Sequence, residues 1–376
     1  MAEKIRVLQS VNSLGIGGSV ICVMNFFRHI DRERFQVDFV ICDDTKMNFY
    51  DEIIEAGSKV FICRTQCKNK YLKLISQIRQ IKEILTQNHY DIIHCHSCSF
   101  FGILRGAIAG FASRGVKVVS HAHSVGEPKG TMADSMARYL LKWVLSNIID
   151  VGCACSDMAG ESKYTKKFIG SKKYRIVNNA IETDRYRYCL RRRNEIREAL
   201  NIKDGDFVIG NVGRLEYEKN QTFLLDIFGI ILDKKPNAVL LLIGDGSLRE
   251  ILEEKAEKNG ISSQVIFTGK CENAADYYHA MDCFVLPSHY EGFPLVLVEA
   301  QVNGLRCIVS ENMSRNVNIA GGVKFLSLEM SPEIWAEEIC MFGNDRMNTE
   351  NVNKVILKYE LNNEVLKLET IYEGHS

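Results

Sequence analysis

The sequence carries no net charge: 47 Lys and Arg stand against 47 Asp and Glu. That balance excludes the broadly basic surface on which nucleic-acid binding depends. No uncharged apolar run approaches the ~20 residues of a membrane-spanning helix. The opening Met1-Ala2-Glu3-Lys4 has no apolar signal region. Both absences predict a cytoplasmic protein, whose thirteen cysteines are then reduced thiols. Low-complexity tracts and short repeats are missing, which excludes solenoids. A dinucleotide fingerprint is missing too, since Val20 stands three residues after Gly17; this argues against a nicotinamide oxidoreductase. The zinc test also fails. Cys95 and Cys98 are spaced like half a zinc site, but no second CxxC or HxxxH follows. No metal site and no cofactor are predicted.

The chain is long, 376 residues, which predicts two domains. Hydrophobic residues at 46% and charged residues at 25% match a soluble globular protein. Apolar runs at 5–11, 35–41, 59–63, 91–95, 116–121, 151–154 and 175–177 alternate with helical patterns. After a basic stretch the alternation restarts, with strands at 207–212, 238–243, 264–268, 283–286 and 307–310. The βαβα order predicts α/β domains with parallel sheets and helices on both faces. The predicted domains are residues 1–183 and 184–350. Residues 351–376 are expected to be a helix packing back on the first domain.

The most informative stretch is Glu291-Gly-Phe-Pro-Leu-Val-Leu-Val-Glu299. An apolar strand precedes it, so Glu291 falls in a loop at a strand's C-terminal end and Glu299 on the following helix. Ligands of open α/β sheets bind there, and paired carboxylates suit a hydroxyl-rich ligand such as a nucleotide sugar. Arg214 and Lys219 follow another strand, after Gly213. They suit a diphosphate, Arg by its fork and Lys as a point charge. Gly15, Gly17 and Gly18 form a strand-to-helix turn open to a phosphate; a tight turn alone also explains them. Gly244 and the Gly269-Lys270 pair end two more strands and either line the site or merely turn the chain. His121 and His123 close a strand and point toward the ligand region, either to bond a sugar or neutralise charge or as structural histidines.

These residues together resemble the retaining GT-B glycosyltransferases of family 4. The likeness rests on Gly213-Arg-Leu with Glu218-Lys219-Asn220, on Gly244-Asp-Gly, and on the run 286–300 that holds Glu291 and Glu299. Bacterial capsular and exopolysaccharide enzymes are the members it most resembles. The resemblance implies two Rossmann-like domains facing a cleft. It implies a nucleotide-sugar donor, UDP-linked by family frequency, held mainly by the second domain. It implies a glycan or polyprenyl-linked acceptor held mainly by the first. Glu299 would take the ribose hydroxyls. Glu291 would take the donor sugar, with backbone N–H groups of Gly292, Phe293 and Leu295; Pro294 has none to give. Gly17, Gly18, Gly213, Gly244 and Lys270 would complete the donor site. Arg214 and Lys219 would stabilise the leaving diphosphate, so no divalent metal is required. His123 aligns better than His121 with the family's catalytic histidine. Arg306 stands where the family often has Pro, and Ser19 where many members carry an acid or small residue.

Other expectations stand beside this one. A nucleotide-sugar epimerase and a non-catalytic carbohydrate-binding subunit are alternatives; the full set of Arg214, Lys219, Glu291 and Glu299 argues against the latter. Residues 163–193 hold eleven Lys and Arg against two acids. They read either as a solvated face or as a peripheral contact with the inner, anionic face of the cell membrane.

Overall fold

Strands buried on both faces cannot alternate polar and apolar residues, so they read as continuous apolar runs. The computed structural model describes residues 3–15, 17–97, 99–123, 132–271, 273–291, 293–343 and 345–374. Two units form: Met1–Ala180 with Leu361–Ser376, and Ile181–Glu360.

The first unit holds β1 (Ile5–Ser10), β2 (Phe35–Ile41), β3 (Val60–Ile62), β4 (Ile92–Ser97), β5 (Lys117–Ala122), β6 (Val151–Ala154) and β7 (Tyr174–Ile176). They pair in parallel in the order β3-β2-β1-β4-β5-β6-β7. The second unit holds β8 (Phe207–Val212), β9 (Ala238–Ile243), β10 (Val265–Gly269), β11 (Cys283–Leu286), β12 (Arg306–Ser310) and β13 (Val323–Leu326). Their order is β10-β9-β8-β11-β12-β13, again parallel. In both sheets the order reverses beside the first strand, at β1/β4 and at β8/β11. Side chains just past those strands border the crevice that a topological switch point opens.

The helix Phe100–Phe111 lies hard against β4. A Cβ at Gly106 would come within 2.6 Å of the Cys95 sulfur, and one at Gly110 within 2.5 Å of Ile93. Glycine there lets helix and sheet backbones approach, and Arg105 is carried in with them.

The tail differs from the single helix expected over 351–376. Helix Thr349–Tyr359 buries Val355, Ile356 and Tyr359 in the second unit with Ile181 and Val298. The chain turns at Glu360, and helix Leu361–Glu373 puts Leu361, Val365, Leu368, Ile371 and Tyr372 into the first unit's core. Buried Glu364 accepts from the backbone N and Nδ2 of Asn178, at 2.9 and 3.0 Å.

The basic run is mainly a solvated face, as one of its two readings expected: eight of its eleven cations are exposed. It crosses from the first unit into the second. Lys163 is buried, its Nζ 4.9 Å over the Phe100 ring. Arg185, Arg187, Arg191, Arg192 and Arg193 pair with Glu182, Asp184, Glu195, Asp276 and Asp282. Asp282 is the hub: its oxygens take Arg193 at 2.6 Å, Arg197 at 2.7 Å and the Val208 N–H at 2.8 Å. Burial holds the Arg197 guanidinium below its ordinary range, with Asp282 opposing the shift. Asp282→Ala would leave buried Arg197 without its partner. The second unit should lose about 3–5 kcal/mol, as for a broken buried pair, read as a fall of about 10 °C in its melting transition. An unchanged melt would remove Asp282 as its keystone. Among the described residues no helix is long and apolar enough to cross a membrane.

Candidate functional site

In the second unit, the turns after β8, β9 and β10 stack on one another. The Gly213 N–H donates to Ile243 O (2.9 Å) and the Gly244 N–H to Gly269 O (3.2 Å). Gly244 sits at φ +135°, where a Cβ would meet the Gly213 carbonyl oxygen at 2.0 Å. Only glycine fits there, so Gly213 and Gly244 form a layer of bare backbone at the strand ends. Lys219 ends a short 3-10 turn, Tyr217–Lys219. Asn220 follows in the left-handed region at φ 56° and leads into helix Gln221–Lys234. Its Nδ2 donates to Pro287 O at 3.2 Å, tying the turn after β8 to the loop after β11.

That tie brings two sequence-distant groups together. Lys219 Nζ donates to Glu291 Oε1 at 2.6 Å across the switch point. Ser288 Oγ donates to the same oxygen at 2.8 Å. The two side chains are only 16% and 12% exposed. An ammonium has three donors and a carboxylate several acceptor sites, so the pair fixes both groups and leaves each with capacity. Arg214 is exposed on the same turn. Its carbonyl is held by Gln221 Nε2 at 3.0 Å, and among the described residues its guanidinium has no ion pair. Lys270 is exposed just past β10.

Glu299 lies on helix Leu295–Val302, whose N-terminus has no side-chain cap. Tyr278 OH donates to its Oε2 at 2.6 Å, and the Tyr186 hydroxyl lies close by. Burial pushes this carboxyl above the usual range, and the two hydroxyls hold it back. Glu299 thus already works as an acceptor for hydroxyl groups. Phe293 packs against Tyr359, ring centroids 5.5 Å apart, and Leu295 is buried in the first helical turn. Gly292 lies outside the described residues. Ser288, Tyr186 and Tyr278 were not singled out in the sequence; their hydroxyls are invisible as partners until the fold places them.

In the first unit, Gly17 caps helix Gly18–His29 in extended backbone, φ −151°. A Cβ at Gly17 or Gly18 would meet nothing within 4 Å. The tight-turn explanation for these two glycines therefore fails; they leave open space at a helix N-terminus.

The histidines are placed differently from the expectation. His94 and His96 share one face of β4, His121 lies on that face of β5, and His123 follows its end. The four rings form a ladder, with centroids 3.9 Å apart for His94–His96 and 4.2 Å for His121–His123. His123 is buried, and both of its ring nitrogens have partners: Nδ1 lies 2.9 Å from Asn179 Oδ1 and Nε2 2.9 Å from His96 Nδ1. The chain of contacts continues from His96 Nε2 to Gln9 Oε1 (2.7 Å), from Gln9 Nε2 to Tyr372 OH (3.0 Å) and from there to His94 Nδ1 (2.6 Å). His121 is deeper, Nε2 facing Val177 O at 3.1 Å. To reach a sugar, His123 must exchange a partner. Burial drives its pKa down to about 4, so it serves as a neutral imidazole. Ring nitrogens of His94, His96 and His121 lie within 4.8 Å of one another, a grouping a metal ion could use. The half-motif at Cys95 is not part of it: Cys95 is fully buried, and Cys98 lies outside the described residues.

Comparison with known proteins converges on one family. Residues 16–185 match the model described as Glycosyltransferase Family 4, and residues 192–365 the one described as Glycosyl transferases group 1. EpsF of Bacillus subtilis, named as a glycosyltransferase, is 29% identical over 340 residues, 89% of this chain and 86% of its own. The UDP-Gal:alpha-D-GlcNAc-diphosphoundecaprenol alpha-1,3-galactosyltransferase of Escherichia coli is 23% identical, covering 92% and 91%. Among solved structures, HepE from Anabaena in complex with UDP superposes with a TM-score of 0.76 at 17% identity, over 99% of this chain and 100% of that one. The two-sheet architecture is that of the GT-B glycosyltransferases.

Proposed function

Since this chain belongs to the family 4 glycosyltransferases, we propose that it moves a hexosyl residue from a UDP-sugar to a glycan or lipid-linked acceptor, with retention of anomeric configuration, in capsular or exopolysaccharide assembly. The observation that carries this reading is the meeting of Lys219 and Glu291 across the β8/β11 switch point, with Arg214 on the same turn. Cations beside a layer of glycine backbone suit a diphosphate; a carboxylate fixed next to them suits the sugar it carries. Glu299 takes the ribose hydroxyls in place of Tyr278. Backbone N–H groups of Phe293 and Leu295 serve the sugar, and Gly244 and Lys270 serve the base. Gly17 and Gly18 give room for phosphate, and His123 donates a hydrogen bond as a neutral ring. Arg214 and Lys219 supply the positive charge that a metal ion supplies elsewhere, so turnover survives chelation of divalent cations.

The choice of UDP draws support from the printed donor of the Escherichia coli relative and from the UDP complex of HepE. A lipid-linked acceptor draws support from the same relative's name, and work at the inner membrane surface goes with that proposal. An exposed stripe on helix Met132–Ile148, Met136, Tyr139, Leu140 and Trp143, supports a peripheral contact there.

The test is a thermal-shift panel of nucleotide sugars on the wild type and Glu299→Ala. A specific donor at about 100 times its Kd should add about 2.7 kcal/mol of stability. Loss of a hydrogen-bonding carboxylate should weaken UDP about tenfold or more. No response to any nucleotide sugar would end the reading; equal UDP affinity in Glu299→Ala would end the ribose role. An altered free sugar nucleotide formed without acceptor would point instead to an epimerase.

A further inference from the structure

A cavity of about 780 Å³ opens in the first unit, past the C-terminal ends of β1, β2 and β3, where Asn12, Cys42 and Cys63 stand. The helices Lys70–Gln87 and Phe100–Phe111 wall it with Lys73, Gln77 and Arg105. Nothing in the donor site uses these residues.

Arg105 is the unusual member. It is 7% exposed, yet among the described residues no carboxylate pairs with it. Its Nη1 donates to Gln77 Oε1 at 3.0 Å and its Nη2 to Asn12 Oδ1 at 3.4 Å, both neutral amides. Its Nε is buried with no partner. Of the acids in the lining, Asp44 pairs with Arg64 at 2.9 Å; Asp43 accepts from the N–H and hydroxyl of Thr45 at 3.0 and 2.7 Å and feels the charge of Lys73, but neither acid pairs with Arg105. Lys73 lies one turn from Gln77 on the same helix face and, among the described residues, has no ion pair. A buried guanidinium normally meets an anion. Here two amides orient it and no protein anion completes it.

A second cavity, about 260 Å³, shares Asn12, Lys73, Gln77 and Arg105 with the first. Its rim is apolar: Tyr71, Leu74 and Phe101, with Tyr71 60% and Phe101 57% exposed. A cationic pocket therefore opens beside an apolar one.

We propose that the pair of cavities holds the acceptor by a phosphate ester or diphosphate, seated on Arg105 and Lys73, with the attached apolar chain lying over Tyr71 and Phe101. The proposal rests on the reading of the chain as a transferase to a lipid-linked acceptor and adds where and by what chemistry that acceptor is gripped. Arg105 binds through the spare donors of its fork; Lys73 adds a mobile charge from the exposed side.

Isothermal titration of the full chain with geranyl diphosphate, inorganic pyrophosphate and geraniol tests it, with UDP titrated in parallel. Geranyl diphosphate should bind best, and Arg105→Gln and Lys73→Ala should each weaken it about tenfold, as expected for a lost hydrogen bond to a charged group, while UDP affinity stays unchanged. Lys73 is exposed, so its variant decides the matter if Arg105→Gln does not fold. Unchanged affinity in Lys73→Ala, or no binding to the wild type, overturns the proposal. Pyrophosphate or geraniol binding as tightly as geranyl diphosphate overturns it too, because only one of the two cavities would then be in use. UDP binding without geranyl diphosphate binding sinks this site and spares the donor reading; the converse spares this site and sinks the donor reading.

Discussion

Lys219→Ala and Arg214→Ala should each lower kcat by about 10²–10³-fold, the usual consequence of removing one preorganised donor from a developing negative charge. The donor KM should move much less, since the charge grows only as the diphosphate departs. Lys219 carries a second duty: its pair with Glu291 at 2.6 Å holds the carboxylate in place. Lys219→Arg keeps the charge and should recover part of the loss, while Glu291→Gln separates the sugar contact from the diphosphate contact. Release of UDP from a UDP-hexose, with or without acceptor, gives the rates. Rates within about twofold of wild type in both alanine variants would remove the cations from the leaving-group role.

The first unit should lose stability steeply in mild acid. Burial depresses the pKa of His94, His96, His121 and His123, and each ring's positive charge would also repel its neighbours in the ladder. Above about pH 6.5 these rings are neutral in both the folded and the unfolded chain, and stability is flat. Below it, only the unfolded chain takes up protons. Each ring then removes about 1.4 kcal/mol per pH unit, until the folded-state pKa is reached. For His123, whose value is about 4, the loss sums to about 3 kcal/mol; the other three add to the slope. The second unit has one comparable ring, His279, also pushed down to about 4. The chain's two tryptophans make the comparison direct. Trp143 lies in the first unit and Trp335 in the second, so Trp335→Phe and Trp143→Phe each leave one reporter. Denaturant midpoints should fall faster with acid for the Trp143 signal than for the Trp335 signal. A first-unit midpoint that is constant from pH 6.5 to 5 would mean that the ladder accepts protons while folded.

The second unit's site was readable because each half of it is local. Arg214 and Lys219 share one turn; Glu291 and Glu299 share one loop and helix. Both stretches follow strands whose burial makes them apolar runs. What joins the halves was not readable: Lys219 and Glu291 are 72 positions apart, and their meeting depends on β8 pairing with β11. The hydroxyls beside Glu299 come from positions 186 and 278 for the same reason. The histidine ladder needs the register that sets His96 beside His121; from the sequence, His123 read as a free group rather than one held by His96 and Asn179. The basic run was readable as a mainly solvated face, but not the partners of Arg192 and Arg193, because Asp276 and Asp282 come from far along the chain. β13 was missed because Val323–Leu326 is four residues long at a sheet edge. A lone arginine in the apolar, glycine-spaced helix Phe100–Phe111 was the signal available for the first-unit cavity.

The return of helix Leu361–Glu373 to the first unit bears on the order in which the protein is made. Domains generally fold as units as they leave the ribosome, N-terminal one first. Here the first unit begins first and is completed second. Its core lacks Leu361, Val365, Leu368, Ile371 and Tyr372 until the whole of Ile181–Glu360 has been synthesised. The second unit is one unbroken segment and needs nothing that follows it. Until the helix docks, the nascent first unit exposes the apolar face it will cover, beside a histidine ladder whose Tyr372 contact is still missing. The interval in which the chain most needs protection from aggregation is therefore set by the synthesis time of the second unit.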